Sequence, residues 1–374
     1  MSDINIPRAV ENIRSTTTVF TPIVETVVNA IEAIEQGGQA VGLVQLRVRR
    51  SSQQDIDTED EGSRILDVLT IDNGIGFNQA NRKSFDTLYS DQKIERGGKG
   101  FGRLICLRYF DGVHVDSFFI ADRPMRRDFD MGKDTEFITN ERVYETTDAK
   151  TGSTVTLIGE RTGKLPRKLS TLARGLVELL LPYFTTQGYT CPRIELSELD
   201  GTGRIVLNDY VDSPGAIIHE VILPQAEFSL TGTSGPQTFR VRIFKFLSPQ
   251  NKVSKLSLVA HKREVTEISL ANYIPEFSEE FVEDPGGDQS RRRNYILKAY
   301  VFSPYLDNNV LLERGAFSFH RESDLLLGIS QNQIESRAAE VTKTAVLDQV
   351  VTRQEKNGSV CRPMSKSKRP GTSR

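Results

Sequence analysis

The apolar run ILDVLTI at residues 65–71 passes directly into Asp72-Asn73-Gly74-Ile75-Gly76-Phe77, and this junction constrains the chain more than any other stretch. Seven residues of this character read as a strand. The two glycines just beyond it permit a tight turn and a close approach of backbone to a neighbour. A strand needs a partner. Upstream, Val44, Leu46 and Val48 alternate with Gln45, Arg47 and Arg49, the period of a half-buried strand, and the acid-rich stretch at 55–61 lies between the two as a solvated hairpin loop. Before the hairpin, Ile23, Val24, Val27, Val28, Ile31 and Ile34 recur at helical spacing. Thr21 is placed as an N-cap, Pro22 at the first helical position, and Gly37-Gly38 as the stop. A helix, a hairpin and a glycine turn in this order predict an α/β fold.

Composition sets the outer limits. At 374 residues, 37% hydrophobic and 26% charged, the chain has the make-up of a soluble globular protein of two domains and a tail. There is no run of eighteen or more apolar residues, and the first residues, MSDINIPRAVENIR, lack the basic-then-apolar layout of a secretory signal, so a cytoplasmic protein with no membrane partner is expected. Cys106, Cys191 and Cys361 show no paired spacing and read as packing residues rather than a disulfide framework or zinc site. The four histidines are dispersed, which argues against a metal held by protein ligands alone. The formal net charge of −2 favours no partner by itself, but residues 353–374 hold seven Lys/Arg against one Glu. That tail reads either as disordered chain or as a contact for DNA or another acidic surface.

Further along, strands are predicted at 112–120, 136–145 and 153–158, a helix at 168–185, and strands at 193–198 and 203–211. Residues 73–103, rich in Gly, Asn and Lys, read as a long structured loop, and loops of that length are usually functional. A second unit begins near Pro214, with strands at 239–246, 256–260 and 295–302, a short helical or irregular segment at 268–274, a charged loop at 276–293 and a helix at 332–353.

Two features carry chemistry. Glu25, Asn29 and Glu32 stand at i, i+4 and i+7, on one face of an otherwise apolar helix. That stripe is either the solvent face or a polar site. Gly97-Gly98-Lys99-Gly100-Phe101-Gly102 supplies GxxGxG ahead of the apolar run 104–107; free N–H groups opening onto a helix form a phosphate cradle. The preceding strand and βαβ unit of a dinucleotide fingerprint are missing, so that reading is rejected.

In this order the pieces resemble the GHKL class of ATPases, which includes gyrase B subunits, large heat-shock chaperones, histidine kinases and MutL-type repair proteins. The N box of that class is similar to ETVVNAIEA at 25–33, its first glycine box to IDNGIGF at 71–77 and its second to GGKGFGRL at 97–104. Its GTxV strand is similar to GSTVTL at 152–157. The resemblance implies a two-layer α/β sandwich, the GHKL or Bergerat ATP-binding fold, over 1–212. It implies a smaller α/β transducer-like domain of the ribosomal S5 type over 213–352, with a basic tail at 353–374. It further implies ATP and Mg2+ as cofactors, Glu25 as general base, Asn29 as the link to Mg2+ and Asp72 as the adenine-binding carboxylate. Gly74 and Gly76 belong to the turn of that pocket, and Gly97, Gly98, Lys99, Gly100, Phe101 and Gly102 to a lid over the phosphates. Ser153 stands where Thr is usual, and Ser90 and Lys93 resemble the Ser-Lys of the MutL-type lid. Glu32 takes the place of the Lys or Arg of histidine kinases, as in the chaperone and MutL branches.

In the second unit, LSLVAHKREV at 256–265 resembles the strand and turn where MutL-type proteins carry Asn-Gly-Arg, and Arg314 falls on their phosphate-contacting lysine. The function expected is ATP hydrolysis that drives lid closure and nucleotide-dependent homodimerisation, linked to DNA transactions or to a protein partner. The alternative is a nucleotide-sensing interaction module, or a chaperone-like protein, with little turnover.

Overall fold

The computed structural model describes residues 17–52, 62–86, 102–132, 138–233, 235–249, 252–283, 292–311, 316–319, 321 and 328–360. The acidic stretch at 55–61 and residues 361–374 of the basic tail lie outside them. The chain forms two compact units. The first comprises Met1–Ala216, His261–Glu264 and Val310–Ala316; the second comprises Ile217–Ala260, Val265–Asn309 and Phe317–Arg374.

In the first unit, helix α1 (Phe20–Gly37) buries Ile23, Val27, Val28, Ile31 and Ile34 along one side. It begins slightly earlier than the sequence suggests. Val19, not Thr21, is the N-cap, and the Thr21 hydroxyl accepts the Thr18 N–H at 2.9 Å. Pro22 therefore sits inside the first turn, where a missing N–H costs no hydrogen bond. Gly38, at φ 59°, terminates the helix in the left-handed conformation that glycine adopts without penalty.

Strands β1 (Leu43–Arg50) and β2 (Ile65–Asp72) form the expected antiparallel hairpin. They enter an eight-stranded sheet with β3 (Phe110–Ile120), β4 (Pro124–Met131), β5 (Ile138–Glu145), β6 (Gly152–Glu160), β7 (Arg193–Glu198) and β8 (Ile205–Val206). The order is β5-β4-β3-β6-β2-β1-β7-β8, antiparallel except for the parallel pair β1/β7. Besides α1, the unit holds α2 (Gln79–Asp86), α3 (Gly102–Tyr109) and α4 (Leu169–Thr185). Val44, Leu46 and Val48 of β1 are buried with the apolar residues of α1 and with Leu172, Leu176 and Leu180 of α4. The alternate residues of β1 are polar and paired, as in Arg49 Nε to Asp67 at 2.6 Å. This is a two-layer α/β sandwich, helices on one face of the sheet.

Three elements of this unit depart from the sequence reading. Residues 73–103 are not one long loop: α2 interrupts it, anchored by Phe85, whose ring lies 5.5 Å from Phe77 and 5.8 Å from Phe129. One aromatic in an otherwise polar octapeptide, QANRKSFD, gives no helical periodicity to read. Strand β4, PMRRDFDM, was hidden by its charges, which pair with neighbouring strands: Arg126 Nε to Asp116 at 2.7 Å and Arg142 Nε to Asp128 at 2.9 Å. The predicted strand over 203–211 is only β8, followed by a 3-10 turn at Leu207–Tyr210.

The second unit is a seven-stranded sheet built from β9 (Ile218–Val221), β10 (Glu227–Gly232), β11 (Gly235–Leu247), β12 (Lys255–Ala260), β13 (Arg263–Ser269), β14 (Phe281–Glu283) and β15 (Arg293–Phe302). Its main path is β10-β11-β15-β12-β13, with β12/β15 parallel. Helices α5 (Pro304–Asn309), α6 (Gln331–Thr344) and α7 (Leu347–Val360) complete it. The single helix expected over 332–353 is thus two. The first opens with a capping box in which Ser330 and Gln333 satisfy each other's backbone N–H groups. Buried Phe239, Phe244, Phe246, Leu258, Leu297 and Ile334 form its core. No described helix is long and apolar enough to cross a membrane.

Candidate functional site

The junction of β2 with its glycine turn sits against α1. Asn73 is a structural residue: its Oδ1 accepts the Leu43 N–H at 2.9 Å and its Nδ2 donates to the Val41 carbonyl at 2.8 Å, which ties the entry of β1 to the end of β2. A Cβ on Gly74 would come within 2.6 Å of the Ala33 carbonyl carbon, and the next residue, Ile75, donates its N–H to the Ala33 carbonyl at 3.1 Å. Gly76, at φ 77°, would place a Cβ 2.2 Å from the Phe118 carbonyl oxygen. The close approaches these glycines allow here are to helix and strand backbone.

Asp72 is different. It ends β2 half-buried and forms no ion pair with any described residue. Burial pushes its carboxyl up from an ordinary 3.8 to about 6, against the pull of backbone hydrogen bonds from Gly74, at 2.8 Å, and Ser153. The register places Ser153 opposite Asp72 on one side and opposite Ser117 on the other. The buried Ser117 and Ser153 hydroxyls lie 3.0 Å apart, and Ser117 accepts the Phe77 N–H at 2.8 Å. Ser117 was not singled out in the sequence. Its signal is faint, a small polar residue at an inward position of a strand whose other inward residues, Val113, Val115 and Phe119, are apolar. Gly152, next to Ser153, would set a Cβ 2.1 Å from the Asp72 carbonyl oxygen.

The polar stripe of α1 lies in the same unit. Asn29 is exposed, and its side chain hydrogen-bonds to no described residue. Glu25 and Glu32 meet Arg263: Nη1 donates to Glu25 Oε1 at 2.8 Å, and Nη2 lies 3.6 Å from Glu32 Oε1. Burial of Arg263, which would lower its pKa, is outweighed by Glu25, Tyr183 and Glu32, so the guanidinium is held above its ordinary value. The sequence reading quoted the segment that holds Arg263 but gave the residue no role. The signal was the adjacent Lys262-Arg263 pair, whose charges complement the acidic stripe. His261 and Lys262, at φ 49° and 61°, are both left-handed, the requirement of a two-residue hairpin turn. For residues with a Cβ this costs about 1–2 kcal/mol each.

Buried Cys106 lies near Glu25. Burial, reinforced by that carboxylate, pushes its thiol up to about 12, and burial does the same for Cys191. Both are neutral packing residues. Gly102 is the first residue of α3. Ser90, Lys93, Gly97, Gly98, Lys99, Gly100, Phe101 and Arg314 lie outside the described residues.

No protein-family model and no curated protein sequence matches the chain. Among solved structures it is similar to one described as "Crystal Structure of N terminal domain of a DNA repair protein", with a TM-score of 0.50 and 14% identity, covering 94% of this chain and 99% of that one. At that identity the likeness concerns the fold alone.

Proposed function

We propose that the first unit binds Mg–ATP and hydrolyses it as a GHKL-type ATPase. The observation that carries this reading is Asp72, a half-buried carboxylate with backbone donors on one side and no cation partner among the described residues, raised to about 6. A carboxylate kept at that cost suits an exocyclic amino donor such as that of adenine. The residues present fit the nucleotide. The exposed Asn29 amide oxygen is a hard ligand for Mg2+, which when bound would neutralise charge on the β- and γ-phosphates. Glu25, one turn before Asn29, would take the proton of a water attacking the γ-phosphorus as the bond to the ADP oxygen breaks. Calorimetry tests the adenine assignment: Asp72→Asn should lose ATP binding while remaining folded, and wild-type affinity in that variant would refute it.

The hydrolysis cycle is further proposed to close a lid and join two copies of the chain, in the service of DNA transactions. Two observations support the DNA link: the similar solved structure is the N-terminal domain of a DNA repair protein, and the tail carries net positive charge. A second reading, a sensor that binds ATP with little turnover, is favoured by one observation: one carboxylate oxygen of Glu25, Oε1, is already engaged by Arg263.

A further inference from the structure

The turn at His261 and Lys262 lays two cations along the acidic face of α1. Lys262 Nζ lies 2.8 Å from Glu35 Oε1 and 3.6 Å from the centre of the Tyr189 ring. Arg263 reaches Glu25 at 2.8 Å and Glu32 at 3.6 Å, so the shorter contact falls on the carboxylate to which the proposed reaction assigns the proton. The buried Tyr183 hydrogen-bonds the same guanidinium. Arg263 and Glu25 side chains retain only 17% and 23% of their exposure, so the pair is partly shielded from water and salt.

A general base needs a free lone pair facing the water it deprotonates. In this structure a charge-assisted hydrogen bond from the guanidinium to Oε1 holds the Glu25 carboxylate in one orientation and engages its negative charge. We infer that Arg263 is a positioning residue that latches Glu25 in the resting protein, and that hydrolysis requires its release. The inference rests on the nucleotide reading above and assigns that site its regulation. The release has a physical cause: a triphosphate seated by the stripe competes with Glu25 for the guanidinium, since phosphate oxygens match its fork at least as well as a carboxylate. The latch is therefore a two-state equilibrium, and only its open fraction turns over.

The test is steady-state ATP hydrolysis by the full chain, with ATP binding measured separately by calorimetry. Arg263→Gln removes the latch, and Tyr183→Phe loosens it without touching a carboxylate. The latch predicts a kcat increase of about three- to ten-fold for Arg263→Gln and a smaller one for Tyr183→Phe. Both gains should vanish when Glu25→Gln is added. An arginine that merely supported the fold would lower the melting temperature and leave kcat unchanged, and one whose contact with phosphate the reaction itself required would lower kcat. Either result overturns the latch. Should Arg263→Gln fail to fold, Tyr183→Phe decides the matter alone. If both variants bind ATP and kcat does not rise, the latch alone falls; if wild type and variants all fail to bind ATP, the nucleotide reading falls and takes the latch with it.

Discussion

Asp72 is set apart by what its burial costs. Its carboxyl titrates near 6 in the folded chain against 3.8 when unfolded, because burial disfavours the charge. A raised folded-state value means the native state holds the extra proton between these limits, so stability falls as pH rises from about 4 to about 6 and the penalty is complete at pH 7. The penalty is on the order of 1–3 kcal/mol, discounted for the residue's partial exposure. Asp72→Asn should accordingly stabilise the nucleotide-free protein at pH 7, by an amount that disappears near pH 4, while it destroys ATP binding. Denaturant unfolding across that pH range measures it. A variant less stable than wild type at neutral pH would show that the carboxylate is a structural anchor.

At the scale of elements, the junction of β2 with the turn Asn73–Phe77 fixes the arrangement, because two of its glycines are required by neighbouring backbone. Gly76→Ala would force a Cβ to within 2.2 Å of the Phe118 carbonyl at a positive φ. A loss of about 2–4 kcal/mol is expected from the clash and the φ strain together, read as a drop in melting temperature. By contrast Gly38→Ala, with open space around the would-be Cβ, should cost only about 1 kcal/mol of left-handed strain. Equal effects for the two would contradict the packing account. The same contrast explains what could be read in the sequence. Helix α1, the β1/β2 hairpin and β6 were legible because burial on one face imposes a period on their residues. Strand β4 and helix α2 were not, since cross-strand ion pairs and a single Phe85 anchor hold them. Within the site, Asp72 and the Glu25–Asn29–Glu32 stripe stood out as polar residues in apolar surroundings, while Ser153 was singled out only by the resemblance to the GTxV strand. Arg263 did not, because it lies 238 positions from its partner Glu25 and no local pattern links them.

For the whole molecule, the proposed cycle ties nucleotide state to assembly. A ligand shifts such an equilibrium only by its different affinity for the two states, and the γ-phosphate is the group that distinguishes ATP from ADP. Light scattering should therefore show one mass in the nucleotide-free and ADP forms and a doubled mass with a non-hydrolysable ATP analogue; a single mass throughout would leave a passive sensor. Beneath assembly, latch and lid lies the claim that Glu25 activates water. Single-turnover hydrolysis of ATP by wild type and Glu25→Ala tests it most directly: binding should survive in the variant while the rate falls by about 10²–10⁴. A rate equal to wild type, with ATP bound to both proteins, would contradict the account.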